Sequence, residues 1–182
     1  MIDKLTLNAF LENADNLCRA SSKPHFYEDC TLTLFFIKYV SDLYDAQAAA
    51  YRRKFADDPK TAAFEIKRMR WVVFENSAFS WFYQNRDREE LTDLIKEGLA
   101  RYGADITNDA TMFATMLAVN LYNVSEQLTW EDTQTLRQIL DLIAPLDLTG
   151  KEKFDVMGDV FEHFRHWRYS FASFAGNLIT VF

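Results

Sequence analysis

Leu32-Thr33-Leu34-Phe35-Phe36-Ile37-Lys38-Tyr39-Val40-Ser41-Asp42-Leu43-Tyr44 decides the fold class. Its apolar members are Leu32, Leu34, Phe35, Phe36, Ile37, Tyr39, Val40, Leu43 and Tyr44. At 3.6 residues per turn they go most of the way round a helix instead of forming one stripe, and a helix apolar on nearly all sides belongs at the centre of a bundle. Lys38 and Asp42 stand at i and i+4 on the polar side, where they can pair. The pattern predicts a central helix from near Phe26 to about Phe55. Lys38 interrupts the apolar run, which is far short of the ~20 residues that span a bilayer.

Upstream, Leu7, Phe10, Leu11, Ala14, Leu17 and Cys18 recur at three- and four-residue spacing, one stripe of an amphipathic helix. Thr6 is its expected N-cap, and Ser21-Ser22-Lys23-Pro24 its end, because proline disfavours helical geometry in the residue before it. His25 falls in the intervening loop. Downstream, Asp58 and Pro59 read as cap and first residue of a short helix through Phe64 and Met69. Trp71-Val72-Val73-Phe74 is the one β-type run, too isolated to build a sheet. Asp87-Arg88-Glu89-Glu90 has the cap-x-x-Glu form that opens a helix, with Leu91, Leu94, Ile95 and Leu99 inside and Gly103 as its stop. Ala110 to Leu128 is another apolar helical stretch. Thr129-Trp130-Glu131-Asp132 opens the next, which buries Leu136, Ile139, Leu140 and Ile143 and ends before Pro145. A loop follows from Leu146 to Gly150. Lys151 to about Phe164 makes the last helix, with Phe154, Met157, Val160, Phe161 and Phe164 on one face. The expectation is all-α: an irregular bundle of about seven or eight helices, with at most a short β segment near residues 71–74.

Composition agrees. The chain has 182 residues, 49% of them hydrophobic and 16 of them Phe, enough for one sizeable core without disulfides. Five Gly and three Pro are too few for a turn-rich sandwich or barrel. A net charge of −7 disfavours a polyanion binder that uses its whole surface. Cys18 and Cys30 read as small core residues in a reducing compartment. No leader-like segment is visible near Met1, and the expected location is the cytoplasm.

Phe10-Leu11-Glu12-Asn13-Ala14-Asp15-Asn16-Leu17-Cys18-Arg19, the stretch from Tyr27 through Phe36-Ile37-Lys38-Tyr39-Val40-Ser41-Asp42, and Phe154-Asp155-Val156-Met157-Gly158-Asp159-Val160-Phe161-Glu162-His163-Phe164 share a further property. Together they resemble the N-terminal helical domain of the methylation (M) subunit of type I restriction–modification enzymes, over residues 6 to about 165. The central stretch, similar to that family's Phe-Leu-Lys-Tyr-x-Ser-Asp, is the most specific part. The resemblance implies a helical domain over residues 1–166 that contacts DNA, the specificity subunit and other M subunits. In the family an adenine methyltransferase domain using S-adenosylmethionine follows. Its Asn-Pro-Pro-aromatic motif, which holds an extruded adenine, has no counterpart here: Pro24, Pro59 and Pro145 are isolated from one another. No two glycines lie within four residues of each other, so no cofactor-cradling glycine turn is present either. The expectation is a domain that does not catalyse methylation by itself and holds no cofactor, with the catalytic domain absent from this chain.

Asp159, Glu162, His163 and His166 fall at i, i+3, i+4 and i+7 and could share one helical face. A bundle metal site wants matching ligands on a facing helix, and none is visible, so the face is read as solvated and no metal is expected. Positive residues are concentrated from 52 to 70: Arg52, Arg53, Lys54, Lys60, Lys67, Arg68 and Arg70 stand against Asp57, Asp58 and Glu65, a local balance of +4. Such a ridge is a solvated surface or a local phosphate contact, and the resemblance favours DNA. Arg52, Arg53, Lys54, Lys67, Arg68 and Arg70 are therefore the expected DNA-binding residues. Residues 167–182 form an apolar tail with no charge after Arg168. Phe171, Phe174, Leu178, Ile179 and Phe182 are the expected interface residues, packed on the bundle or, as favoured here, on a second copy. The competing functional reading is a structural helical protein that self-associates through this tail and has no DNA role.

Overall fold

The structure, a computed structural model, describes residues 2–69, 73, 75–106, 121–149 and 156–165. It is all-α, with eight α-helices and no strand among the described residues. The helices are α1 (Lys4–Arg19), α2 (Pro24–Lys54), α3 (Pro59–Lys67), α4 (Phe79–Gln84), α5 (Leu91–Ile106), α6 (121–127), α7 (Thr133–Ile143) and α8 (Val156–Arg165). Single 3₁₀ turns at Glu75–Ser77 and Trp130–Asp132 precede α4 and α7. The expected β segment falls mostly on residues 71, 72 and 74, outside the described residues, as does the tail from 167 onward.

The 31-residue α2 is the axis of the bundle. Residues 33–38 are all buried, and α1, α3, α4, α7 and α8 pack around the helix. Phe35, Phe36, Ile37 and Val40 lie in the core, and Tyr39 is half-buried against it. Phe10 of α1 stacks on Phe35, with centroids 5.3 Å apart. One continuous apolar cluster runs from Ile2 to Phe164 and takes in residues of every described helix except α3.

The polar residues of the central stretch join elements. The Ser41 hydroxyl accepts the Phe79 N–H at 3.1 Å. Phe79 opens α4, and Ala78 before it has no side chain to cap with, so α2 supplies the cap from outside. Asp42 accepts the Leu148 N–H at 3.2 Å and the Lys38 ammonium, fastening the segment after α7 to α2. Lys38 also lies over the Phe79 ring, 5.8 Å from its centroid. A second joint sits at the other end of α2. Asp132, fully buried, accepts from Tyr27 Oη at 2.6 Å, Lys23 Nζ at 2.9 Å and the Thr129 N–H at 2.8 Å.

Several boundaries differ from the sequence expectations. Asp3 caps α1 by accepting the Thr6 N–H at 2.7 Å, so Thr6 is inside the helix. His25 is the second residue of α2, since Pro24 takes the first helical position. Asp87 does not open α5: Arg137 of α7 donates to the carbonyls of Arg86, Asp87 and Arg88, which are then engaged away from a helical ladder, and α5 begins at Leu91. Gly103 does not stop α5. A glycine stop needs the left-handed conformation, and no described glycine has positive φ. Asp58 and Pro59 do start α3, with Asp58 accepting the Thr61 N–H at 3.1 Å.

Gly98 of α5 has a different task. A Cβ there would lie 2.3 Å from Cζ and 2.6 Å from Cε1 of Phe82, whose ring is fully buried and would have to shift. Gly98→Ala gains about 1 kcal/mol of helix preference. Overpacking a closed core costs about 1–3 kcal/mol, and contacts this short belong at the upper end. The variant is expected to be less stable by about 1–2 kcal/mol in urea unfolding. An unchanged or raised midpoint would mean that the ring yields.

Candidate nucleic-acid interface

Beyond Asp42, α2 leaves the core, and Ala48 is its one further buried residue. This half of α2 is paired by α3, whose buried residue is Ala62. Small residues on both helices let them lie close together. Asp58 caps α3 at the turn between them, so the cationic segment is presented on a pair of helices.

Arg52, Arg53 and Lys54 form the last turn of α2, and all three are exposed. Lys67 ends α3 and Arg68 is its C-cap, both exposed. Cations at these positions also complement the negative ends of their helix dipoles, which stabilises both helix ends by a few tenths of a kcal/mol, to about 1 kcal/mol. None of the five forms a salt bridge with another described residue. Arg70 lies outside the described residues, as do Phe171, Phe174, Leu178, Ile179 and Phe182.

Arg52 and Lys67, one from each helix, line a single cleft of about 660 Å³ between α2, α3, Val73 and Glu75. Tyr44, Phe55 and Ile66 contribute its apolar walls, and Glu75 stands at its rim. The Lys54 ammonium lies 5.1 Å from the Phe55 ring centroid, and the Tyr51 ring stacks on Phe55 with centroids 6.5 Å apart.

Sequence reasoning missed Phe64. It is 57% exposed on α3, with the Arg68 guanidinium 5.3 Å from its ring centroid. The signal was in the spacing: Lys60, Phe64 and Lys67 stand at i, i+4 and i+7, one helical face in which an aromatic ring sits between cations. The tally of positive charge passed over it because Phe64 carries none.

The other chemistry-bearing residues are used structurally. Cys18 and Cys30 are fully buried, and burial pushes the Cys18 thiol up to about 11 and the Cys30 thiol well above its ordinary value. Neither is a reactive thiolate. On α8, Glu162 is exposed, but His163 is not on a solvated face. Its Nε2 sits 3.3 Å from Asp15 Oδ1 of α1, an ion-pair distance without hydrogen-bond alignment, and its ring packs edge-on against Phe164. Asp159 lies 3.9 Å from the Lys4 ammonium. These groups tie α8 to α1. His166 is outside the described residues. Among the described residues no three His, Cys, Asp or Glu side chains converge into a metal-binding group, and no helix is long and apolar enough to cross a membrane. Comparisons with protein-family models, with curated proteins and with solved structures find no match to this chain.

Proposed function

We propose that these residues form a DNA- and subunit-binding helical domain of the kind that opens the M subunit of a type I restriction–modification adenine methyltransferase, without catalytic activity of its own. The observation that carries this reading is the α2–α3 pair, which exposes Arg52, Arg53, Lys54, Lys67 and Arg68 on a chain of net charge −7. A cationic tip on an acidic body binds phosphates locally and is repelled elsewhere, which orients the domain on a duplex. The central stretch supports the reading in a second way. Lys38, Ser41 and Asp42 fasten α4 and the segment after α7 to α2, so residues similar to the family's most specific motif determine how the bundle assembles. Methyl transfer would need the Asn-Pro-Pro-aromatic motif and an S-adenosylmethionine site, and this sequence has neither motif. The partners under this reading are DNA, the specificity subunit and further M subunits, in the cytoplasm.

The test is fluorescence anisotropy of labelled duplex DNA with the full chain. Wild type is expected to bind weakly. Replacing Arg52, Arg53 and Lys54 with Glu is expected to abolish binding, because three favourable phosphate contacts become repulsive. Unchanged binding by that variant would move the site elsewhere. Absence of binding by wild type would favour the self-associating structural protein.

A further inference from the structure

We infer that the α2–α3 surface prefers unpaired nucleic acid to duplex, holding bases on Phe64 and in the adjoining cleft while its cations hold the backbone. This inference rests on the DNA-contact reading above and specifies the form of nucleic acid. Contact with a duplex backbone makes no use of the faces of the bases, which are stacked on one another inside the helix. Here the cations are interleaved with rings. Phe64 is exposed between Lys60 and Lys67 on one face of α3, and Arg68 covers only part of its surroundings, 5.3 Å from the centroid. Leaving a phenyl ring in water is unfavourable. Among the described residues, the other exposed large rings, Tyr122 and Trp130, have no cation over them. Alternating rings and cations are what a single strand requires: each base offers a π-face and each linkage a charge.

The cleft is an independent observation. Its volume of about 660 Å³ is ample for one nucleobase with its sugar. Its walls are apolar and aromatic at Tyr44 and Phe55, for the faces of a base. Arg52 and Lys67 belong to the same lining and supply positive charge for a phosphate. Glu75 also lines it, and a carboxylate, which only accepts hydrogen bonds, suits the amino edge of a base and opposes a bare phosphate. Lys67 belongs both to this cleft and to the Phe64 face, which makes the two sites neighbours along one strand.

The experiment compares labelled oligothymidylate and mixed-sequence single strands with a duplex of equal length, using wild type and Phe64→Leu. Leucine keeps the helix and the apolar character but removes the π-face, and circular dichroism checks that the fold is intact. Tighter binding of single strands by wild type, with a roughly 5- to 100-fold loss in Phe64→Leu and little change for the duplex, is the expected result. Equal affinity for both forms, or a Phe64→Leu variant that binds single strands like wild type, would overturn this inference and leave the duplex-contact reading standing. Absence of binding to either form would overturn both.

Discussion

Phe35→Ala is expected to lower the unfolding free energy by about 3–5 kcal/mol. Phe35 is fully buried at the middle of α2, and its ring stacks on Phe10 of α1. Truncation removes the transfer energy of a phenyl group and leaves a cavity beside Phe10, itself buried, in a closed core that can relax only partly. A domain of this size has a stability of about 5–15 kcal/mol, so this one substitution removes about a fifth of it or more. Urea unfolding followed by circular dichroism measures the loss. A decrease below about 1 kcal/mol would mean that α2 is not the axis around which the bundle condenses.

Asp132→Ala is expected to cost about 3 kcal/mol, through polar groups instead of packing. Burial favours the neutral carboxyl of Asp132, but hydrogen bonds from Tyr27, Lys23 and Thr129 outweigh it and hold the group below its ordinary value. Truncation leaves the buried Tyr27 hydroxyl without its acceptor, while Lys23, partly exposed, can turn to water. The same bond and burial raise the Tyr27 hydroxyl to about 12, so it remains a donor across the neutral range. The sign of the pH dependence follows. A carboxylate with a lowered folded pKa stabilises the fold fully above its unfolded value of about 3.9, and that contribution is lost as pH falls through the lower folded value. Wild type should therefore lose stability on acidification below about pH 4, and Asp132→Asn should show a shallower acid limb. Identical acid limbs would place the linkage at other carboxylates.

The helices were legible from the chain because their signals are local. The run from Leu32 to Tyr44 announces a helix buried on most sides, and the α7 stripe of Leu136, Ile139, Leu140 and Ile143 is fully buried as its spacing predicts. The joints were not legible. Tyr27 and Asp132 are 105 positions apart, and Ser41 and Phe79 are 38 apart, so no window of sequence contains either pair. The same distance explains the misplaced start of α5. Asp87-Arg88-Glu89-Glu90 has the local form of a helix opening, and Arg137, far along the chain, holds its carbonyls in a turn. His163 read as a solvated residue because its own helix shows only neighbours of mixed polarity, whereas its packing is decided by α1. The cationic segment was legible as charge, but its division between a last turn of α2, a face of α3 and a shared cleft was not. That division depends on how α3 packs against the far half of α2.

The most direct test of the account is the salt dependence of duplex affinity, measured for the wild-type chain and for variants in which Arg52, Arg53, Lys54, Lys67 and Arg68 are changed to Gln one at a time. Each contacted phosphate contributes about −0.9 to the slope of log affinity against log salt. One phosphate contact from each of these five cations would together contribute about −4.5 to the wild-type slope, and each neutralisation is expected to flatten it by up to about 0.9. A slope that none of the five substitutions changes, or an affinity insensitive to salt, would contradict the claim that this α2–α3 surface is the DNA contact.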